Sequence, residues 1–154
     1  MIARMAADHK IDARRIYVTG LSAGGAMTSV MLATYPETFA AGAVIAGLPY
    51  RTAINLHEAF ESMFKGRPRP AREWGAFVRA ASAHQGPWPR ISVWHGDADP
   101  LVKRENADHI VKQWIDVINS RYHVGIDGIS LPLYVLTFLL SFLCAIYTLR
   151  YVPD

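Results

Sequence analysis

A serine lies between a strand pattern and a helix pattern near the start of the chain. Residues 15–20 form a β-branched and aromatic run stopped by glycine, which predicts a short buried strand. Residues 23–34 predict a helix that ends before Pro36. Between them, residues 20–24 read Gly-Leu-Ser-Ala-Gly. A glycine two positions before and after the serine permits a strained turn with closely packed neighbours, so we expect the Ser22 hydroxyl to project above the sheet.

This succession of strand, G-x-S-x-G and helix is the nucleophile-elbow pattern of α/β-hydrolases. It predicts that Ser22 is a catalytic nucleophile. The backbone N–H of Ala23, at the start of the following helix, is the predicted donor to an oxyanion. A structural glycine-rich turn is the alternative, because the five-residue pattern also occurs by chance. The flanking strand and helix favour the nucleophile.

Strand and helix patterns alternate along the following hundred or so residues. Together they predict the α/β class, as a partial α/β-hydrolase fold with a parallel sheet, right-handed crossovers and flanking helices. The last predicted helix has one apolar face that should cover the sheet, formed by Ala107, Ile110, Val111, Trp114, Ile115 and Ile118. The further strands are predicted at residues 41–47 and 90–96, and the further helices at residues 2–9, 55–64 (N-cap Asn55), 71–81 and 105–118.

A second chemical motif follows the third predicted strand. Residues 95–102 read His-Gly-Asp-Ala-Asp-Pro-Leu-Val, and parallel-sheet enzymes carry functional groups at the carboxyl ends of strands. A carboxylate at this place can orient an imidazole and stabilise its charged form. Asp97 and Asp99 are both candidates from the residues alone. The alternative for either is a turn or cap aspartate ahead of the helix near Glu105.

A general-base histidine is not identifiable. In this fold the base follows the acid along the chain, and only His109 and His123 follow the acidic motif. His109 lies among the residues of the predicted covering helix, which favours a structural or exposed role, and His123 borders an apolar run. His84 and His57 precede the acid and would break the chain order.

Other chemistries have little support in the sequence. His57-Glu58 begins like a zinc motif, but Glu61 occupies the position of the second histidine. With neither a phosphate loop nor a dinucleotide fingerprint, we predict no metal and no cofactor. The net charge of +3 comes largely from one basic run that we interpret as a solvated loop and helix face, without a nucleic-acid partner: Lys65, Arg67, Arg69, Arg72 and Arg79.

The C-terminal part of the chain differs in character. Residues 128–149 contain no charged side chain, and about 22 residues at ~1.5 Å per residue can span a ~30 Å hydrocarbon core. We therefore predict a transmembrane helix with membrane contact through this segment, and Pro132 near its start is tolerable there. A buried core helix or strand pair of a soluble domain is the alternative. Cys144 is the one cysteine, so no intrachain disulfide can form.

Three segments resemble the polyhydroxybutyrate depolymerase and feruloyl-esterase-like family of α/β-hydrolases. They are residues 16–27 around the elbow, 39–50 over the second strand and 88–99 over the third, within a resemblance running from about residue 2 to about 118. The family's serine corresponds to Ser22. Its triad acid, in H-G-x-x-D-x-x-V, corresponds to Asp99, with Val102 in place. The resemblance implies hydrolysis of small or polymeric carboxylic esters, often by secreted proteins.

The chain also departs from that family. Earlier strands, a loop with the second oxyanion donor and a later loop with the catalytic histidine have no counterpart in the sequence. We therefore expect this chain to be an incomplete, weakly active or inactive serine esterase. The resemblance implies an extracellular protein, although residues 1–4 start no secretory signal. A non-catalytic hydrolase-fold protein is a further alternative, and the oligomeric state is left open.

A different resemblance begins at the end of the last predicted helix. Residues 121–133 are similar to a segment that enters a transmembrane helix in the antiporter-like membrane subunit M of proton-pumping NADH:quinone oxidoreductase. We therefore predict two domains: an esterase domain at residues 1–119 and a foreign, membrane-like segment at 120–154, joined near 119–122. Such a chain would be a chimera. A fragment of the membrane subunit is accordingly the alternative function.

Overall fold

Three parallel strands form the centre of the fold in the computed structural model, which describes residues 1–118. They lie in the order β1 (Tyr17–Leu21), β2 (Ala41–Ile45) and β3 (Arg90–Trp94). The predicted α/β class and parallel sheet are confirmed. The helices are α1 (Ile2–Asp8), α2 (Ala23–Thr34), α3 (Leu56–Lys65), α4 (Ala71–Arg79) and α5 (Glu105–Ile118), with a 3₁₀ turn at Ala13–Arg15.

The register of the sheet brings the three strand ends to one level. Leu21 pairs with Ile45, which pairs with Trp94. Each of these residues is the last of its strand, so the loops that follow all leave the same carboxyl edge. This edge receives both sequence motifs, since one begins directly after β1 and the other directly after β3.

The core lies on one face of the sheet. Val18, Val44 and Val93 point toward α2, α4 and α5, and Leu32 of α2 packs on the backbone of Gly42, where a β-carbon would come within 2.7 Å of its Cδ1 atom. Such close approach explains a glycine inside a buried strand. The fully or nearly buried apolar residues of this cluster are Leu32, Ala33, Phe39, Val44, Val78, Ile110, Trp114 and Val117.

The buried face of α5 differs from the predicted one. Ile110 and Trp114 are buried as expected, but Ile115 and Ile118 are each 37% exposed, and Gln113 is completely buried. The side chain of Gln113 bonds the N–H and C=O of Tyr50 (2.9 and 3.0 Å) and the C=O of Trp74 (3.1 Å). Because a satisfied amide can be buried at little cost, hydropathy alone assigned the wrong edge of this helix to the core.

The opposite face of the sheet is open within residues 1–118. Tyr17, Leu21 and Trp94 are 59–66% exposed there, although parallel sheets normally have both faces covered. A shallow hollow of about 390 Å³ lies over the amino-terminal halves of the strands, between Tyr17 and Arg90. It is therefore at the end of the sheet away from the two motifs.

The predictions made for the C-terminal part fall on residues 119–154, outside the described residues. They include the join near 119–122, the transmembrane helix and the position of His123. Among residues 1–118, none of the helices has the length and apolar character needed to cross a membrane.

Candidate active site

The predicted elbow is present between β1 and α2. Ser22 has φ 56° and ψ −116°, a left-handed conformation that is strained for a residue with a β-carbon. Its N–H donates to the C=O of Ile45 at 2.9 Å, which ties the turn to the end of β2. The structure therefore places an exposed serine on a sharp, strained turn at the carboxyl edge of the sheet.

Two glycines make room for this turn. A β-carbon on Gly20 would overlap the backbone of Gly24. One on Gly25 would come within 2.8 Å of the Ile45 oxygen and 3.0 Å of the Gly47 Cα. For Gly24, by contrast, the prediction that neighbouring segments exclude a side chain is wrong for residues 1–118, since a β-carbon there would meet none of their atoms within 4 Å. The atoms of Gly24 that Gly20 approaches belong to the backbone, so this contact requires glycine at position 20 and not at position 24.

The backbone donors at the start of α2 are available beside the serine. Ala23 is the first helical residue, and the first intrahelical bond of this turn runs from Ala26 N–H to Ser22 C=O at 3.0 Å. The first N–H groups of a helix have no intrahelical acceptor. Among the described residues no side chain caps this helix. The Ala23 N–H can therefore donate to an anionic oxygen that forms at Ser22.

The acidic motif forms a tight loop after β3. The Oδ1 atom of Asp99 accepts hydrogen bonds from the N–H groups of Leu101 (2.9 Å) and Val102 (3.0 Å). These bonds, the one from Val102 first, lower the pKa of Asp99 below its ordinary value of 3.8. Asp97 is exposed and pairs with Arg104 at 3.2 Å. Only Asp99 is held in one orientation by the loop.

His95, the first residue of the motif, received no role from the sequence and completes this loop. The Nε2 atom of His95 lies 2.7 Å from the Val102 carbonyl oxygen and 3.7 Å from Oδ2 of Asp99. Its side chain is only 4% exposed. The signal that could have indicated it is its place as the first residue after β3, where a buried polar side chain must find a partner.

Ser22 and the acid loop stand two strands apart. Neighbouring strands are ~4.8 Å apart, so the ends of β1 and β3 are separated by about 10 Å across β2. An imidazole that forms one hydrogen bond at each ring nitrogen fits a gap of this order between a serine and a carboxylate. The arrangement can thus accommodate a serine–histidine–aspartate relay.

Among residues 1–118, no histidine forms a hydrogen bond with Ser22. His109 is 6% exposed in α5 and stacks on Trp74 with 5.8 Å between ring centroids, and burial, followed by the nearby Lys112 charge, lowers its pKa. His84 bonds the Pro87 oxygen at 3.1 Å. His57 is exposed on α3. The structure therefore assigns His109 a packing position and leaves the base unidentified.

The remaining polar residues form structural contacts. Residues 1–118 hold no group of three or more metal-ligating side chains. Three members of the basic run form ion pairs on the helices and their loops, but the side chains of Arg67 and Arg69 are only 31% and 30% exposed, so this part of the run is half-buried and not a solvated face. The pairs are Arg67–Glu58 at 2.8 Å, Arg79–Asp116 at 2.7 Å, and Arg69–Glu73.

Comparison with known proteins adds a family match. Residues 1–125 match the family described as Esterase PHB depolymerase. The chain is 45% identical over 128 residues to poly(3-hydroxyalkanoate) depolymerase C of Paucimonas lemoignei, with 82% of this chain and 30% of that protein covered. It is 35% identical over 130 residues to feruloyl esterase B of Thermothelomyces thermophilus, with 80% and 45% covered.

A solved structure agrees with these sequence matches. The acetyl xylan esterase from Aspergillus awamori superposes with a TM-score of 0.73 and 27% identity, over 82% of this chain and 48% of that one. The chain thus spans less than half the length of each of these relatives. All three are ester-cleaving enzymes by name, and the alternative of a membrane oxidoreductase subunit has no support from them.

Proposed function

Because the chain belongs to the Esterase PHB depolymerase family, we propose that it is built for serine-dependent hydrolysis of carboxylic esters. The observation that carries this proposal is the conformation of Ser22, which is strained, exposed and next to the free N–H groups of α2. Strain of this kind persists only where surrounding structure holds it, and it concentrates at active sites.

The proposed chemistry follows from the positions of the groups. Ser22 Oγ attacks the ester carbonyl carbon, and its proton passes to an imidazole base. The carbonyl oxygen becomes an oxyanion that accepts a hydrogen bond from Ala23 N–H. The alcohol leaves with the proton from the imidazole, and water then releases the acid from the acyl-enzyme. Asp99 orients the imidazole and stabilises its charged form through Oδ2, because Oδ1 is already occupied by two amides.

The proposed substrates are small or polymeric esters of the kinds named for the relatives. They are polyhydroxyalkanoates, feruloyl esters and acetylated xylan. An extracellular location, implied by the family resemblance, stays a prediction.

A fluorophosphonate probe tests the nucleophile in the full 154-residue chain. We expect slow labelling that Ser22→Ala abolishes, since an elbow and oxyanion donor without a full triad retain about 10³–10⁴-fold acceleration over water. Ser92→Ala is the matched control, because Ser92 is also an exposed serine of this sheet. Equal labelling of the wild type and Ser22→Ala would contradict the proposal and favour a non-catalytic hydrolase-fold protein.

The rate of ester turnover tests whether the chain lacks a general base. We expect little or no hydrolysis of p-nitrophenyl butyrate, because loss of a triad member lowers the rate by on the order of 10⁴–10⁶. Ser22-dependent turnover at the rate of a complete relative would overturn this expectation. In that case His109→Gln and His123→Gln would show which histidine acts as base.

We further propose that the chain joins two unrelated coding segments near residues 119–122. The support is the change in character of the sequence there. The family match itself continues across this position to residue 125. Sequencing reads across this position in an independent sample test the origin of the join. Spanning reads would contradict an assembly artefact, and reads that diverge at the join would support it.

A further inference from the structure

The loop after β3 is closed by a buried histidine that has no assigned role. His95 follows the last residue of the strand, and its side chain is 4% exposed. Burying an imidazole this deeply is unfavourable unless its polar atoms find partners. Its hydrogen-bond partner is the carbonyl oxygen of Val102, seven residues further along the chain at the far end of the acid loop.

Three hydrogen bonds, made by His95, Gly96, Asp99 and Val102, close the loop of residues 95–102. The Val102 C=O lies 2.7 Å from the His95 Nε2 atom, and the Val102 N–H donates to Asp99 Oδ1 at 3.0 Å. The Asp99 N–H donates back to the C=O of Gly96 at 3.2 Å. Val102 is therefore held at both its backbone groups, by the histidine on one side and by the aspartate on the other.

The neighbours of His95 determine which ring nitrogen carries the proton. Nε2 faces two acceptors, the Val102 carbonyl oxygen and, at 3.7 Å, Asp99 Oδ2. It must therefore be the N–H donor. Nδ1 is buried and meets no partner within residues 1–118. The contacts therefore place a proton on Nε2 and give Nδ1 no partner among the described residues.

From this geometry we infer that His95 is a positioning residue for Asp99. It anchors Val102 so that the Val102 amide holds Oδ1 and the carboxylate keeps one orientation. The inference rests on the proposed function, since it assigns Asp99 as the acid of the relay. His95 itself is not the base, because its Nε2–H is engaged by a carbonyl and its ring is enclosed.

Nuclear magnetic resonance on the full chain tests the inference at three groups: the His95 ring, the Val102 amide and the Asp99 carboxylate. In the wild type, ¹⁵N shifts of His95 should show a proton on Nε2. In His95→Phe, which keeps a ring but removes the donor, the Val102 amide should exchange on the order of tenfold faster. The pKa of Asp99 should rise, because its largest stabilising hydrogen bond is loosened.

Two variants separate positioning from packing. His95→Gln places an amide N–H near the position of Nε2, and we expect it to restore slow exchange of Val102 and a low pKa of Asp99. His84→Phe is the matched control, because His84 also bonds a loop carbonyl, that of Pro87 at 3.1 Å. It should leave Val102 and Asp99 unchanged.

Several outcomes would overturn the inference. They are an Nδ1–H tautomer in the wild type, unchanged Val102 exchange and Asp99 titration in His95→Phe, or a folded His95→Gln protein that shows the loosened loop. If His95→Phe does not fold, the tautomer and the glutamine variant still decide the question. None of these measurements requires chemistry at Ser22. The labelling experiment can therefore contradict the hydrolase proposal while the loop geometry holds, and the loop measurements can fail while Ser22 is labelled.

Discussion

The turn after β1 and the loop after β3 leave the same edge of the sheet but are held in different ways. The turn depends on backbone geometry: Ser22 has a positive φ, and Gly20 lies against the backbone of Gly24. The loop depends on side chains, since Asp99 and His95 bond the backbone of residues 101–102. Close backbone packing holds the turn after β1, whereas side-chain hydrogen bonds hold the loop after β3.

This difference has consequences for substitution. The turn should fail when a β-carbon is added at Gly20. Strand β1 is paired with β2, so the backbone at Gly20 cannot move away from the backbone at Gly24. The loop should fail when a polar group is removed, because the amides of Leu101 and Val102 then lose their acceptor. The predictions below test these two responses, beginning with the largest expected effect.

The largest effect is expected from Gly20→Ala. The new β-carbon would overlap backbone atoms of Gly24, and we expect the free energy of unfolding to fall by about 3 kcal/mol. Gly24→Ala is the matched control, because a β-carbon there meets no atom of residues 1–118 within 4 Å. It should change stability by less than about 1 kcal/mol. Urea denaturation measures both, and equal destabilisation would show that the two glycines are equivalent.

A smaller effect of opposite sign is expected at Ser22. Ser22→Gly removes the β-carbon that makes φ 56° unfavourable, whereas Ser22→Ala keeps it. We expect the glycine variant to be more stable than the alanine variant by about 1–2 kcal/mol. Thermal and urea unfolding of the two variants provide the measurement. Equal stabilities would mean that the turn stores no strain.

The acid loop should respond to loss of a carboxylate. Asp99→Ala leaves the amides of Leu101 and Val102 without their acceptor, so the unfolding midpoint should decrease. Asp97→Ala is the control and should have little effect, since Asp97 forms only an exposed ion pair with Arg104. A fall in stability for Asp97→Ala as large as that for Asp99→Ala would contradict the assigned roles.

The same carboxylate predicts a pH dependence. The pKa of Asp99 is lower in the folded protein than the ordinary value of 3.8. Its contribution is therefore present above that value and is lost as the pH falls through the lower native pKa. Stability curves of the wild type and Asp99→Ala should converge at the acid end. Curves that stay parallel would contradict the assignment.

The smallest effect is expected from His109 of α5, at a higher pH than the effect of Asp99. Burial, and then the Lys112 charge, lower the pKa of His109 below 6.5, so the unfolded chain takes up its proton first as the pH falls. Stability should decline below about pH 6.5 until the native pKa is passed. His109→Gln should remove this decline and leave the Asp99 dependence unchanged. A decline that persists in His109→Gln would assign it to another group.

Much of this architecture was predictable from local patterns. The bounds of α2 and α5 and the N-cap at Asn55, which accepts from Glu58 N–H at 2.9 Å, agree with the predictions. Proline, glycine and cap residues act on their immediate neighbours, so the sequence shows where helices end. The elbow was predictable for the same reason, because five consecutive residues carry its geometric requirement.

The buried polar contacts were not predictable in this way. Gln113 was left out of the core because its amide is polar, yet its partners Tyr50 and Trp74 lie 63 and 39 residues away along the chain. His95 was overlooked because its partner Val102 is apolar and is bonded through its backbone. A hydrogen bond to a backbone group does not depend on the residue type of the partner, so the sequence does not reveal it.

The sequence by itself thus determined the strand–helix order and the strained serine turn, since both follow from local backbone preferences. Only the tertiary structure decided how the loop after β3 is closed, with Oδ1 of Asp99 held by two amides and Oδ2 lying 3.7 Å from His95 Nε2. It also decided that Gly24 needs no room of its own and that His95 holds the acid loop closed. The physical reason is that register and burial arise from contacts between residues distant in the chain, where polar groups are tolerated only once their partners are in place.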